Sequence, residues 1–209
     1  MPTSAPPDAR PARRRGRPRQ FDYDQALDAA LQTFWHRGYA ATSLDHLTAA
    51  MRLNRPSVYA AFGNKEAIYA AAIQRYVAVA GRETLQALAR PRLRDALAGF
   101  LAAIIDTATG RYGPNGCAIC CTLPAEAGHS EAARRQLAEA IAQLDGAIQA
   151  RLRAAVAARE LAAAADVASL AQLVTGVAFS LSIRARAGTP RRELGRIARA
   201  LVGLVVRGD

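Results

Sequence analysis

The chain has 209 residues, 51% of them hydrophobic, and a formal net charge of +11. That length accommodates a small domain beside a larger one, or one domain with a substantial core, and the charge favours an anionic partner without choosing DNA over RNA. The basic, proline-rich start leads into no apolar segment of the kind that marks a secretory signal, so a cytoplasmic protein is expected.

Residues 10–19, RPARRRGRPR, carry six arginines and no acid. Their prolines and glycine oppose a helix, so residues 1–19 read as a disordered basic arm. Arginine suits a narrow minor groove because its delocalised charge sheds water readily, and Arg15-Gly16-Arg17-Pro18 resembles the core of an AT-hook. Arg13, Arg14, Arg15, Arg17 and Arg19 are therefore candidate DNA contacts. A solvated tail or a nonspecific polyanion binder has the same composition.

Asp22 and Gln25 have capping-box spacing, and Leu27, Ala30, Leu31 and Phe34 follow at helical intervals before Gly38, which reads as a helix stop. Thr42 and Asp45 repeat that spacing, predicting a second helix from near Ser43 with Leu44, Leu47 and Met51 on its apolar face. Asn54 is a strong N-cap and Pro56 is tolerated in a first turn, so a third helix is expected over Arg55–Phe62. With Val58 and Phe62 turned inward, Arg55, Ser57 and Tyr59 remain for another surface. Two short helices joined by a tight turn are how many proteins place one helix in a major groove, although such pairs also occur in proteins that never touch DNA.

The run from Gly16 to Tyr76 resembles the DNA-binding domain of TetR-family transcriptional regulators. The resemblance is carried by Phe34, Gly38-Tyr39, Thr42-Ser43, Ser57-Val58-Tyr59, Phe62 and Lys65-Glu66. It implies that Thr42 and Lys65 contact phosphates at helix starts, with Ser43 beside them. It also implies that Arg55, Pro56, Ser57 and Tyr59 occupy the recognition helix, Arg55 being suited to guanine O6/N7 and the Tyr59 hydroxyl to a phosphate. Arg52 departs from the family pattern, standing where glycine is usual. A left-handed conformation there costs roughly 1 kcal/mol, which a phosphate contact would offset.

Beyond residue 66 the periodicity is helical throughout. Helices are expected at Ile68 to Val79, Leu93 to Ile105, Glu131 to Glu160, Val167 to Arg186 and Glu193 to Val206. Val167 to Ile183 is the nearest thing to a membrane span, but Gln172, Thr175 and its serines favour a buried interface helix. The expected fold is all-α with about nine helices: a three-helix helix-turn-helix domain at 20–66 and a larger helical regulatory and dimerisation domain at 67–209. The resemblance implies that the last two helices form a dimeric four-helix interface.

All three cysteines lie in NGCAICC at 115–121. Asn115 is a plausible N-cap placing Cys117 in a first turn, where the helix dipole lowers a thiol pKa, with Cys120 and Cys121 one turn on. The motif resembles the Gly-Cys helix start of a TetR subgroup that includes electrophile and oxidant sensors. Three readings stay open: packing residues, thiol sensing, and soft-metal binding, although three cysteines of one helix do not readily surround an ion. Phe100, Ile104, Tyr112 and Phe179 are candidate pocket residues from apolar helical position.

Catalysis is not expected. His36, His46 and His129 are scattered, and no phosphate loop, HExxH or nucleophile elbow accompanies them, so no cofactor is called for. The partners expected are double-stranded DNA, a second copy of the chain and a small-molecule inducer or electrophile, with no membrane. The alternative from a different class is an architectural protein binding DNA nonspecifically through its arm.

Overall fold

Asp22 opens the first helix by accepting the N–H groups of Asp24 and Gln25 at 2.9 and 3.1 Å, and Gly38 closes it at φ 80° with its N–H on the Phe34 carbonyl. The computed structural model describes residues 21–207. Its nine α-helices are α1 Tyr23–Arg37, α2 Leu44–Met51, α3 Arg55–Phe62, α4 Lys65–Gln86, α5 Leu93–Asp106, α6 Ala118–Ala127, α7 Glu131–Ala157, α8 Val167–Arg186 and α9 Arg191–Arg207. No strand occurs among the described residues, so the all-α expectation holds.

The apolar faces collect into two cores. Phe34, Trp35, Leu47, Val58, Phe62, Ile68, Tyr69 and Tyr76 form the first, which also takes in Ala118 and Leu123 of α6 and Ala133 of α7. The core of the N-terminal helices thus runs past residue 66 through α4 into α6. Phe100, Leu101, Ile148, Leu152, Val174, Leu181, Leu201 and Val205 belong to the second, built from α5, α7, α8 and α9. A 22-residue α4, about 33 Å long, joins the two.

Long-range contacts set several boundaries. The N–H of Leu93 at the start of α5 donates to Glu160 Oε2 at 2.6 Å, and Arg151 holds that carboxylate at 3.3 Å. Glu160 therefore acts as a cap from outside α7, which ends at Ala157, short of the expected Glu160, where Arg159 turns left-handed at φ 60°. After α5 the backbone widens into one loose turn over Thr107–Arg111, with Gly110 at φ 98°. Gly116 then returns an N–H to the Ala108 carbonyl at 2.7 Å. By length and composition α8 could cross a membrane. In the fold, its Ala171, Val174, Ala178, Leu181 and Ala185 are buried in the second core.

Candidate nucleic-acid interface and thiol-lined cavity

The α2–α3 pair is assembled from local hydrogen bonds. Ser43, not Thr42, is the N-cap of α2: its Oγ accepts the His46 N–H at 3.2 Å while His46 Nδ1 accepts the Ser43 N–H at 3.1 Å. Thr42 is 1% exposed, donates its hydroxyl to the Gly38 carbonyl at 2.7 Å and its N–H to the Tyr39 carbonyl. Both donors of Thr42 are thus spent inside the fold in this structure, whereas Ser43 is exposed at the helix start. Arg52 adopts the left-handed conformation at φ 55°, ψ 39°, and closes α2 with its N–H directed to Ala49 and Thr48 carbonyls. Asn54 then caps α3 by accepting the Ser57 N–H at 2.8 Å.

With Val58 and Phe62 buried, α3 turns Arg55, Pro56 and Tyr59 to solvent, Tyr59 being 54% exposed, with Ser57 partly covered. Arg55 is not free. Its Nη2 and Nε donate to Asp45 Oδ1 at 2.7 and 3.1 Å, and this partner holds its pKa above the ordinary value. The pair is exposed on both sides, so it orients the guanidinium without committing it. Lys65 begins α4 behind its cap Asn64, and its Nζ lies 4.2 Å from the centre of the Tyr39 ring. Sequence reasoning missed Asp45 and Tyr39 in these roles; the first was legible only as a helix-start acid. The arm, with Arg13, Arg14, Arg15, Arg17 and Arg19, lies outside the described residues.

Beyond the first three helices a cavity of about 100 Å³ is lined by Tyr76, Val77, Ala80 and Thr84 of α4, Ile104 of α5, Cys117, Ile119 and Cys120 at α6, Leu144 of α7 and Phe179 of α8. Its lining is mostly apolar. The expected Ile104, Phe179, Cys117 and Cys120 are therefore brought together. Three others are not. Phe100 is fully buried in the second core, Tyr112 packs against the first core beside Arg111, and Cys121 abuts Gly116, where an added Cβ would stand 2.6 Å from its sulfur.

Asn115 does not cap α6. Cys117 is itself the N-cap, at φ −115°, ψ 133°, because Gly116 at φ 101° turns the chain so that the helix starts two residues later than expected. Tyr76 donates its hydroxyl to the Cys117 sulfur at 3.5 Å. A hydrogen bond from the Cys120 thiol, then those from Tyr76 and the Cys120 and Ile119 N–H groups, outweigh burial and bring the Cys117 pKa down to about 6. Cys120 is pushed up by that same shared proton and by burial, and burial pushes Cys121 up. Of the three thiols, Cys117 is the one whose surroundings favour ionisation.

The segment before Cys117 is fastened to α1. Gln32 donates to the Tyr112 carbonyl, and Gly113 lies so close to Gln32 and Trp35 that an added Cβ would meet them at 2.7–2.9 Å. Arg186 of α8 reaches across, donating to the carbonyls of Asn115 at 3.2 Å and Trp35 at 3.0 Å. Deeper, Tyr69 donates to Thr122 Oγ1 at 2.7 Å and ties α4 to α6, burial raising the tyrosine pKa to about 12. No local pattern marks Gln32 or Arg186.

Comparison with known proteins agrees with this geometry. Residues 26–72 match the family described as bacterial regulatory proteins, tetR family, and residues 89–201 match the tetracyclin repressor-like C-terminal domain. The chain is 34% identical over 189 residues to the HTH-type transcriptional repressor ComR of Escherichia coli, covering 88% of this chain and 89% of that protein. It is 34% identical over 120 residues to the repressor BdcR of the same organism, covering 57% and 59% of the two chains. Among solved structures, a cysteine mutant of the regulator CifR complexed with 26-bp operator DNA is similar at TM-score 0.81 and 34% identity, covering 90% of this chain and 98% of that one.

Proposed function

The chain belongs to the tetR family of bacterial regulatory proteins, and on that premise we propose that it is a homodimeric repressor, held on a pseudo-palindromic operator and released by a small ligand or by thiol modification at α6. The observation that carries this reading is α3: its inward residues are buried while Arg55, Pro56 and Tyr59 are exposed to solvent, next to Lys65 at the start of α4. Lys65, Ser43 and the Tyr59 hydroxyl serve phosphates, and Arg55 reads a base edge by exchanging Asp45 for guanine.

Two copies are needed because one α3 covers one half-site. The outward faces of α8 and α9 supply the surface: Leu173, Ile183 and Leu204 are 51%, 55% and 71% exposed. Gly176 and Gly203 leave open space beside them for close backbone approach.

Release follows from α4. Its first residue faces DNA and its second half, from Tyr76 to Leu85, lines the cavity, so a ligand that fits only one position of α4 biases the spacing of the two reading heads. The cavity is apolar and small, near the size that admits one aromatic ring.

The experiment is a footprint on the DNA flanking the gene, with shuffled competitor in excess. A protected pseudo-palindrome is expected. Uniform, competitor-sensitive coverage would replace this reading with that of an architectural DNA binder working through its arm.

A further inference from the structure

Cys117 and Cys120 stand at the N-cap and third residue of α6. In that register a helix brings the two Cα atoms to roughly 5 Å, within the span that a disulfide bridges. Both side chains line the same apolar cavity. Tyr76, 5% exposed, aims its hydroxyl at the Cys117 sulfur. Cys121 lies outside this arrangement, packed against Gly116. Together these are the parts of a two-thiol redox centre: a nucleophilic sulfur, a resolving thiol in reach, a neutral donor for the departing oxygen, and an apolar seat.

We propose that Cys117 and Cys120 form a peroxide-reactive dithiol, in which an organic hydroperoxide seated by its alkyl group in the cavity oxidises the pair to an intrahelical disulfide. The Cys117 thiolate attacks the terminal oxygen of ROOH. The O–O bond breaks, a Cys117–OH sulfenic acid forms, and the alkoxide leaves and takes up one proton from solvent as ROH, with Tyr76 hydrogen-bonding the departing oxygen. Cys120 sulfur then attacks the Cys117 sulfur, its thiol proton joining the expelled hydroxide as water. Two electrons pass from the two sulfurs to the peroxide, and the products are one disulfide, ROH and water.

The regulatory consequence rests on the repressor reading above. Bonding to Cys120 takes the Cys117 sulfur from Tyr76 and pulls on the segment that Gln32 and Arg186 hold against α1. The reading head therefore moves with the oxidation state.

The test uses the full-length reduced protein and equal concentrations of tert-butyl hydroperoxide or hydrogen peroxide, followed by non-reducing peptide mapping. The expected result is a Cys117–Cys120 bridge that forms faster with the alkyl hydroperoxide and is undone by dithiothreitol. Cys120→Ser should stop at a sulfenic acid on Cys117 that dimedone traps, Cys117→Ser should not react, and Cys121→Ser should behave as wild type. A bridge involving Cys121, a bridge between subunits, stable dimedone labelling of the wild type, or faster reaction with hydrogen peroxide would overturn the proposal. Operator affinity, measured separately, should fall roughly 5- to 150-fold on oxidation and recover on reduction. Failure of the repressor reading shows as no footprint by the reduced protein and leaves the peptide map untouched, whereas failure of this inference shows in the map itself.

Discussion

Arg55 and Cys117 each owe their behaviour to a neighbour. Arg55 is held by Asp45 in an exposed pair, so it can change partners without leaving a buried charge behind. Arg55→Ala is expected to relax preference at one base position on the order of tenfold, while Tyr59→Ala and Lys65→Ala weaken binding to specific and random DNA alike. Equal losses on both DNAs for Arg55→Ala would remove its base-reading role. At Cys117 the hydrogen bonds from Cys120 and Tyr76 bring the pKa down to about 6, so the thiolate already predominates at neutral pH. Its alkylation rate should fall as pH drops through about 6 and stay nearly flat from pH 7 to 8.5, where an ordinary thiol still gains about tenfold per unit. Iodoacetamide rates with site-resolved mass spectrometry decide this, and a midpoint near 8.5 at Cys117 would contradict it.

Among the elements, α2 depends most on its ends, because its eight residues bury only Leu47 and Met51. Short helices gain little from propagation, so the reciprocal Ser43–His46 bonds carry a large share of its stability. Ser43→Ala should cost about 1 kcal/mol, a fall of roughly 2–4 °C in Tm, whereas a longer helix absorbs such a loss. Calorimetry checks the figure, and an unchanged Tm would show that tertiary packing alone holds α2. The three-residue link Arg52, Leu53 and Asn54 is compact because Arg52 accepts a conformation usually left to glycine.

For the whole molecule, association and charge matter most. Leu173→Glu with Leu204→Glu places two charges on the exposed faces of α8 and α9 and should turn a dimer into a monomer by sedimentation at micromolar concentration. A dimer surviving both changes would move the interface elsewhere. Deleting residues 1–19 should flatten the salt dependence of DNA binding, each lost phosphate contact lowering the slope of log K against log salt by roughly 0.9. An unchanged slope would make the arm a bystander to the α3 interface.

The sequence by itself determined whatever depends on neighbours within four residues. Asp22 and Asn54 announced helix starts because a cap bonds to an N–H two or three residues on, and the bounds of α3 follow from such a cap, those of α8 from an unbroken apolar period. Thr42 was the expected cap of α2, and packing moved that role by one residue: the Gly38 turn draws Thr42 inward and leaves Ser43 at the helix start. The cysteine cluster was visible, yet its division was not. Cys117 and Cys120 face a cavity whose walls come from α4, α5, α7 and α8, and the turn at Gly116 set Cys117 as the cap instead of Asn115. Phe100 and Phe179 have the same apolar helical signature, and one fills a core while the other lines the void. Glu160 capping α5 from 67 residues away and Arg186 binding Trp35 from 151 away have no local pattern at all. Periodicity shows which face is apolar; what meets that face is decided when helices distant in sequence pack together.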